Sequence, residues 1–184
     1  MRLGLLFAAL VAACPAASPA QSTFYENGRP APDDGSSVRR DGFGVLLLIT
    51  PNREAFEAAW AGPTPPNLVT TERAERGQPI FAMLIFSGCL AGPDGNCDVI
   101  GEFTVLKPDG SPYQDPAQAP IWSAPPAPGE NLQLSLASLG LRIEPGDPMG
   151  TYTIRVTVTD RHRGVTVAVH RPVIVDTPPI PTTS

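Results

Sequence analysis

Cys89 and Cys97 bracket a turn-rich loop, "CLAGPDGNC", with seven residues between them. Two thiols at that distance can serve reversible dithiol exchange or a permanent disulfide. A redox-active pair takes the Cys-x-x-Cys spacing, which is absent here. The intervening Gly-Pro-Asp-Gly lets the chain turn back on itself, and an exported chain meets an oxidising compartment. The spacing therefore predicts a Cys89–Cys97 disulfide at the base of the loop. Closing so small a ring is worth about 2 to 3 kcal/mol in the chain-entropy view.

The remaining reactive residue types form no recognisable constellation. Zinc would need two ligands beyond the cysteines, and the two histidines, His162 and His170, stand far along the chain without paired spacing. Asp94, Asn96 and Asp98 alternate like the opening of a calcium loop, but Val99 stands where glycine is needed and Val105 where the closing glutamate belongs. Asp and Asn are frequent in turns for their own hydrogen-bonding reasons. His162 lies between Arg161 and Arg163, two residues after Asp160, and reads as a solvated hairpin tip. His170 reads as an edge residue beside Pro172.

Lys107 is the only lysine and precedes the turn Pro108-Asp109-Gly110, so it reads as a turn residue. Neither Gly-x-Ser-x-Gly nor His-Glu-x-x-His occurs, and Thr104 stands where a Ser-x-x-Lys motif would place its serine. Trp122 could form a ligand platform; its size favours a plug at one end of the core. These residues point to a protein that is not an enzyme and that needs no metal or other cofactor.

The elements that would carry the loop begin after a leader. "MRLGLLFAALVAACPAASPAQS" has one arginine, an apolar run and small residues at Ser18 and Ala20, the pattern of a signal peptide over residues 1–20. "VAAC", ending at Cys14, offers the alternative of lipidation at Cys14 and an envelope-anchored lipoprotein. No stretch is apolar over the roughly 18 residues that a membrane span needs. The composition gives 13 basic against 18 acidic residues, a net charge of −5, which disfavours nucleic acid and anionic membranes as partners.

Residues 21–42 lack periodicity and read as a flexible N-terminal segment. "FGVLLLIT" (43–50) has the length of a buried strand, and residues 51–61 read as a short helix capped by Thr50 with Pro51 in its first turn. Strands are then predicted at "NLVTTE" (67–72), at "QPIFAMLIFSGC" (78–89), buried on both faces, and at "CDVIGEFTVL" (97–106). Six prolines make residues 111–130 a long loop or a poorly bonded edge. In "NLQLSLASLGL" the leucines at 132, 134 and 136 alternate with polar residues.

"GDPMGTYTIRVTVTD" is the clearest pattern, with Tyr152, Ile154, Val156 and Val158 facing one way and Thr153, Arg155, Thr157 and Thr159 the other. A last strand, interrupted by Pro172, ends near residue 176, and 177–184 read as a flexible tail. The pattern predicts an all-β fold: an antiparallel immunoglobulin-like β-sandwich of about seven strands over residues 43–176, with one short helix.

The stretch "DPMGTYTIRVTVTD" resembles the penultimate strand of immunoglobulin-like and macroglobulin-type domains of exported bacterial proteins. The resemblance covers about residues 145–175 and, more loosely, reaches back to 44. It implies a β-sandwich and leaves the activity open. The expectation is an exported binding or interaction module, periplasmic or secreted, whose partner is another envelope or secreted protein. The alternatives are a lipid-anchored accessory protein of the envelope and, less favoured, a small hydrolase or a peptidase inhibitor.

Overall fold

Along β4 (Phe43–Thr50), Phe43, Val45, Leu47 and Ile49 are fully buried, whereas Leu46 and Leu48 between them are only half-buried. The alternation hidden in this continuous apolar run separates the interior of a sandwich from an outer face that a helix covers in part. The computed structural model describes residues 25–26, 29–30, 34–62 and 66–176. The leader, Cys14 and the tail lie outside the described residues.

Two sheets pack face to face. One has the order β3 (Ser37–Arg40), β4, β6 (Pro79–Ser87), β9 (Gln133–Arg142). The other has the order β5 (Arg73–Glu75), β11 (Val165–Asp176), β10 (Gly150–Asp160), β7 (Val99–Leu106), β8 (Ala117–Trp122). A separate two-stranded ribbon joins β1 (Tyr25–Glu26) to β2 (Arg29–Pro30). Among the described residues the sandwich therefore has nine strands rather than about seven. It is also not wholly antiparallel, because β5 runs parallel to β11.

The core lies between the sheets. Ile80, Ala82, Leu84 and Phe86 of β6 face Tyr152, Ile154, Val156 and Val158 of β10 and the odd-numbered valines of β11 within one buried cluster. Each large side chain so removed from water contributes about 1.5–3 kcal/mol. β6 is apolar on its other face too, since Met83 and Ile85 form a second cluster with Phe56 of α1 (Arg53–Trp60).

α1 is shorter than the sequence predicts, and its N-cap is Asn52 rather than Thr50. The Asn52 Oδ1 accepts the Ala55 N–H at 3.0 Å, leaving Pro51 outside the helix. Thr50 instead turns its hydroxyl to Asn52, whose N–H it accepts at 3.3 Å.

Three further elements depart from expectation, and the proline-rich stretch takes the edge alternative. Residues 67–72 form no strand; the chain pairs only from Arg73, after Thr71 donates to the Ile49 carbonyl at 2.8 Å. β3 lies inside the 21–42 segment and joins β4 through the Asp41-Gly42 turn, where both residues have positive φ as a two-residue hairpin of this hand requires. The proline-rich stretch contains β8, paired to β7 as an edge.

Pro172 does not interrupt β11. His170 and Ile174 donate their N–H groups away from β10, to the carbonyls of Gly35 and Glu72. Pro172 sits at the intermediate position in that direction, where neither acceptor is needed and a missing N–H costs nothing.

Candidate functional site

At one end of the sandwich β6 runs into the cysteine loop, β8 connects to β9, and the β3–β4 and β10–β11 turns close their hairpins. Cys89 and Cys97 are joined as a disulfide, with Cα atoms 6.0 Å apart, and both are buried in the core cluster. Gly88, just before the bond, has φ +73°, and a Cβ there would stand 2.0 Å from the Gly42 carbonyl oxygen. Only glycine admits so close an approach of the two turns.

The organising pair at this end is Asp160 and Arg163. The phase of β10 that buries Tyr152, Ile154, Val156 and Val158 also turns Asp160 inward, and it is fully buried. Its Oδ2 accepts the Leu90 N–H at 2.8 Å, and its Oδ1 accepts the Arg163 N–H at 3.0 Å. The Arg163 guanidinium donates to the carbonyl of Asp41 at 2.9 Å and to that of Gly88 at 2.8 Å. A buried carboxylate whose oxygens are both engaged acts as a tether between loops, not as a free acid or base.

The other sequence candidates do not converge on a site. Asp94 accepts from the backbone N–H and the side-chain amide of Asn96, and the backbone bond holds its carboxyl below the usual range. Asp98 instead faces Arg161 at 3.5 Å, so the alternating oxygens do not converge. The His162 ring stands over Gly92, where a Cβ would lie 2.4 Å from Nε2. Lys107 belongs to a tight turn in which Gly110 donates to its carbonyl at 2.9 Å. His170 is exposed beside Gly35. Trp122 is half-buried, its ring 6.0 Å from that of Phe86.

A second polar cluster, at the opposite end, was not legible in the sequence. The Tyr113 hydroxyl donates to Asp147 Oδ2 at 2.5 Å, Arg76 donates to the Asp147 carbonyl, and the Glu144 N–H is accepted by the same carboxylate at 2.8 Å. Burial and the Asp147 charge push the Tyr113 hydroxyl up to about 12, and the Tyr113 bond lowers the Asp147 carboxyl. Next to this cluster the Tyr152 hydroxyl donates to the Pro148 carbonyl at 2.9 Å. Between α1 and the start of β6 an open depression includes Asn52 and Phe81, and Arg53 and Glu57 there pair with each other at 2.7 Å.

Among the described residues, no group of three or more His, Cys, Asp or Glu side chains is placed to hold a metal ion, and no helix is long and apolar enough to cross a membrane. Among the described residues the exposed large apolar side chains are Val69, Met149 and three leucines. Leu90 in the disulfide loop, Leu132 just before β9 and Leu136 within β9 are 43%, 54% and 57% exposed. Leu136 is expelled by a bulge: between Met83 and Ile85 of β6, the partners on β9 jump from Ser138 to Leu134. The expected alternation of Leu132, Leu134 and Leu136 therefore fails, and only Leu134 packs beneath α1.

The edge around these leucines is interrupted by the bulge but carries neither charge nor proline. From Asn131 to Leu141 no residue is charged or proline. By contrast β8 carries Pro120, the three-residue β5 carries Arg73 and Glu75, and the four-residue β3 carries Arg39 and Arg40. Short length, charge and proline are the devices that keep sheet edges from pairing.

No family model matches the chain, and no curated protein matches it. Solved structures give distant likenesses. The CARDB domain of a Pyrococcus furiosus protein, in complex with di-metal ions, has 11% identity and a TM-score of 0.39 over 78% of this chain and 97% of its own. A Niemann-Pick type C2 protein from Japanese carpenter ant has 10% identity and a TM-score of 0.37, over 71% and 89%. A family 123 glycoside hydrolase from Clostridium perfringens has 7% identity and a TM-score of 0.38; 73% of this chain matches 28% of that one. TM-scores this low assign neither a family nor an activity.

Proposed function

We propose that this protein is an exported, non-enzymatic interaction module with an immunoglobulin-like body, and that it contacts another polypeptide through the disulfide-bearing loop end and the adjoining β9 edge. The observation that carries the reading is the exposure of Leu90 in the disulfide loop, of Leu132 just before β9 and of Leu136 within it, beside loops whose polar groups are already engaged in holding one another. Uncharged sheet edges and exposed apolar side chains are features of contact surfaces.

The immunoglobulin-like reading rests on chain order. β4, β6 and β9 correspond to strands A, B and E of that fold, and β5, β11, β10, β7 and β8 to A′, G, F, C and C′. Tyr152, near the start of β10 and bonded to the carbonyl four residues upstream, occupies the place of the tyrosine corner. Export is supported by the leader pattern and by the disulfide, which persists in oxidising compartments.

Site-specific photocrosslinking tests the proposal. A photoreactive residue at Leu136 is expected to trap a discrete partner in the native envelope or medium, whereas one at Thr157 on the opposite sheet traps none. Equal trapping at both positions, or none at Leu136, overturns it.

A further inference from the structure

We infer that the Cys89–Cys97 disulfide is a redox-dependent lock on the loop end: breaking it releases three neighbouring loops together while the two sheets and the opposite end stay in place. The 88–98 loop is the shared anchor of this end. Gly88 donates to the Gly129 carbonyl at 2.8 Å and Ala127 donates to that of Gly95 at 3.1 Å, which ties down the β8–β9 connection. Leu90 donates to Asp160 and Arg161 donates to the Asp98 carbonyl at 2.8 Å, which ties the β10–β11 turn. Arg163 bonds Gly88 and Asp41 at once, and so draws in the β3–β4 turn.

The loop has little of its own to resist opening. Its internal backbone bonds are turn bonds, from Gly92 to the Asn96 carbonyl and from Gly95 to that of Gly92. The covalent link therefore sets its conformational freedom. In the chain-entropy model, closing a ring of this size restricts the open ensemble about a hundredfold. The far end is held by other groups, the Tyr113–Asp147 and Tyr152–Pro148 bonds, which do not involve this loop.

The chemistry needs a dithiol reductant. One of its thiolates attacks a sulfur of the pair, the Cys89–Cys97 bond breaks, and its second thiol completes the exchange. The protein gains two electrons and two protons as two thiols, and the reductant leaves as its own disulfide. Cys89 and Cys97 are 4% and 2% exposed, so attack passes through local opening of the loop. Coupling is reciprocal: if the disulfide steadies the Asp160–Arg163 tether, the tether also shields the disulfide. The consequence for partner binding rests on the interaction reading above, but the lock itself is a property of the free chain.

Amide hydrogen exchange with and without dithiothreitol tests the lock, and needs no partner. On reduction, segments 88–98, 127–131 and 160–164 and the 41–42 turn are expected to exchange about a hundredfold faster, with β6 and residues 148–154 unchanged. The C89S/C97S double variant is expected to give the same map without reductant. Arg163→Gln is expected to speed reduction of the intact disulfide severalfold. Faster exchange confined to 88–98, faster exchange across the whole molecule, or an unaltered reduction rate in the Arg163 variant each overturns the inference. Because crosslinking at Leu136 is a separate measurement, failure of the interaction reading is seen independently.

Discussion

Asp160 and Arg163 face each other across the β10–β11 turn, with the guanidinium Nε 3.7 Å from the buried Oδ2 and the Arg163 N–H on Oδ1 at 3.0 Å. Three loops are spaced by this pair: the arginine reaches two carbonyls, and the carboxylate takes the first amide after Cys89. The arrangement makes the loop end depend on one fully buried carboxylate and one largely covered guanidinium.

Removing the carboxylate leaves the Leu90 and Arg163 N–H groups without their acceptor and takes the counter-charge from a guanidinium that keeps only its two carbonyls. Asp160→Ala is therefore expected to cost about 3 kcal/mol, and Asp160→Asn less, because the amide oxygen still accepts one bond. Urea unfolding checks both. A cost within about 0.5 kcal/mol for the alanine variant would place the pair among ordinary surface ion pairs.

The opposite end predicts a pH dependence at both extremes. The Asp147 carboxyl is lowered, chiefly by the Tyr113 hydroxyl, so its contribution is complete above the unfolded carboxylate range and is lost as pH falls through the depressed folded value. Tyr113 is raised from 10.0 to about 12, chiefly by burial, so its contribution is complete below pH 10 and is lost as pH rises towards 12. Tyr113→Phe is expected to reduce the alkaline loss, leaving the part that belongs to Tyr152, whose hydroxyl burial also raises, and to weaken the acid one, measured as melting temperature against pH. An unchanged alkaline limb would refute the assignment.

α1 packs on the outer face of the four-stranded sheet through one buried side chain, Phe56. Phe56→Ala is expected to cost about 3–5 kcal/mol and to expose Trp60, read by its fluorescence, before the sandwich unfolds. Asn52→Ala removes only the cap and is expected to cost about 1 kcal/mol. Equal effects of the two would mean that the helix is held by its ends and not by its packing.

Much of this architecture is legible as period two. The β10 pattern fixes which side chains are inside, and continuing it one step places Asp160 inside as well; the signal for the buried carboxylate was present two residues from the histidine that drew attention. Local chemistry also marks Asp41-Gly42 as a hairpin, although the charge and glycine around it read equally as a loose lead. What single-strand patterns do not carry is pairing. β5 is three residues long and exists because β11 offers it an edge, and Pro172 is harmless only because its missing donor faces a gap between Gly35 and Glu72. The β9 bulge likewise depends on β6, and it moves Leu136 from the expected inner row to the surface.

That displaced leucine gives a prediction that separates contact from stability. Leu136 is 57% exposed, so replacing it removes little buried area, and Leu136→Lys is expected to shift unfolding by no more than about 0.5 kcal/mol. A lysine on an otherwise uncharged edge is the device by which natural sheets refuse added strands. The same substitution is therefore expected to weaken partner binding by at least about tenfold, the loss typical of a central contact residue. Leu134→Lys, whose side chain packs under α1, is expected instead to destabilise the fold. The two variants should be compared in the same binding assay and the same urea titration. Binding that survives Leu136→Lys while the fold is intact would remove the β9 edge from the contact surface.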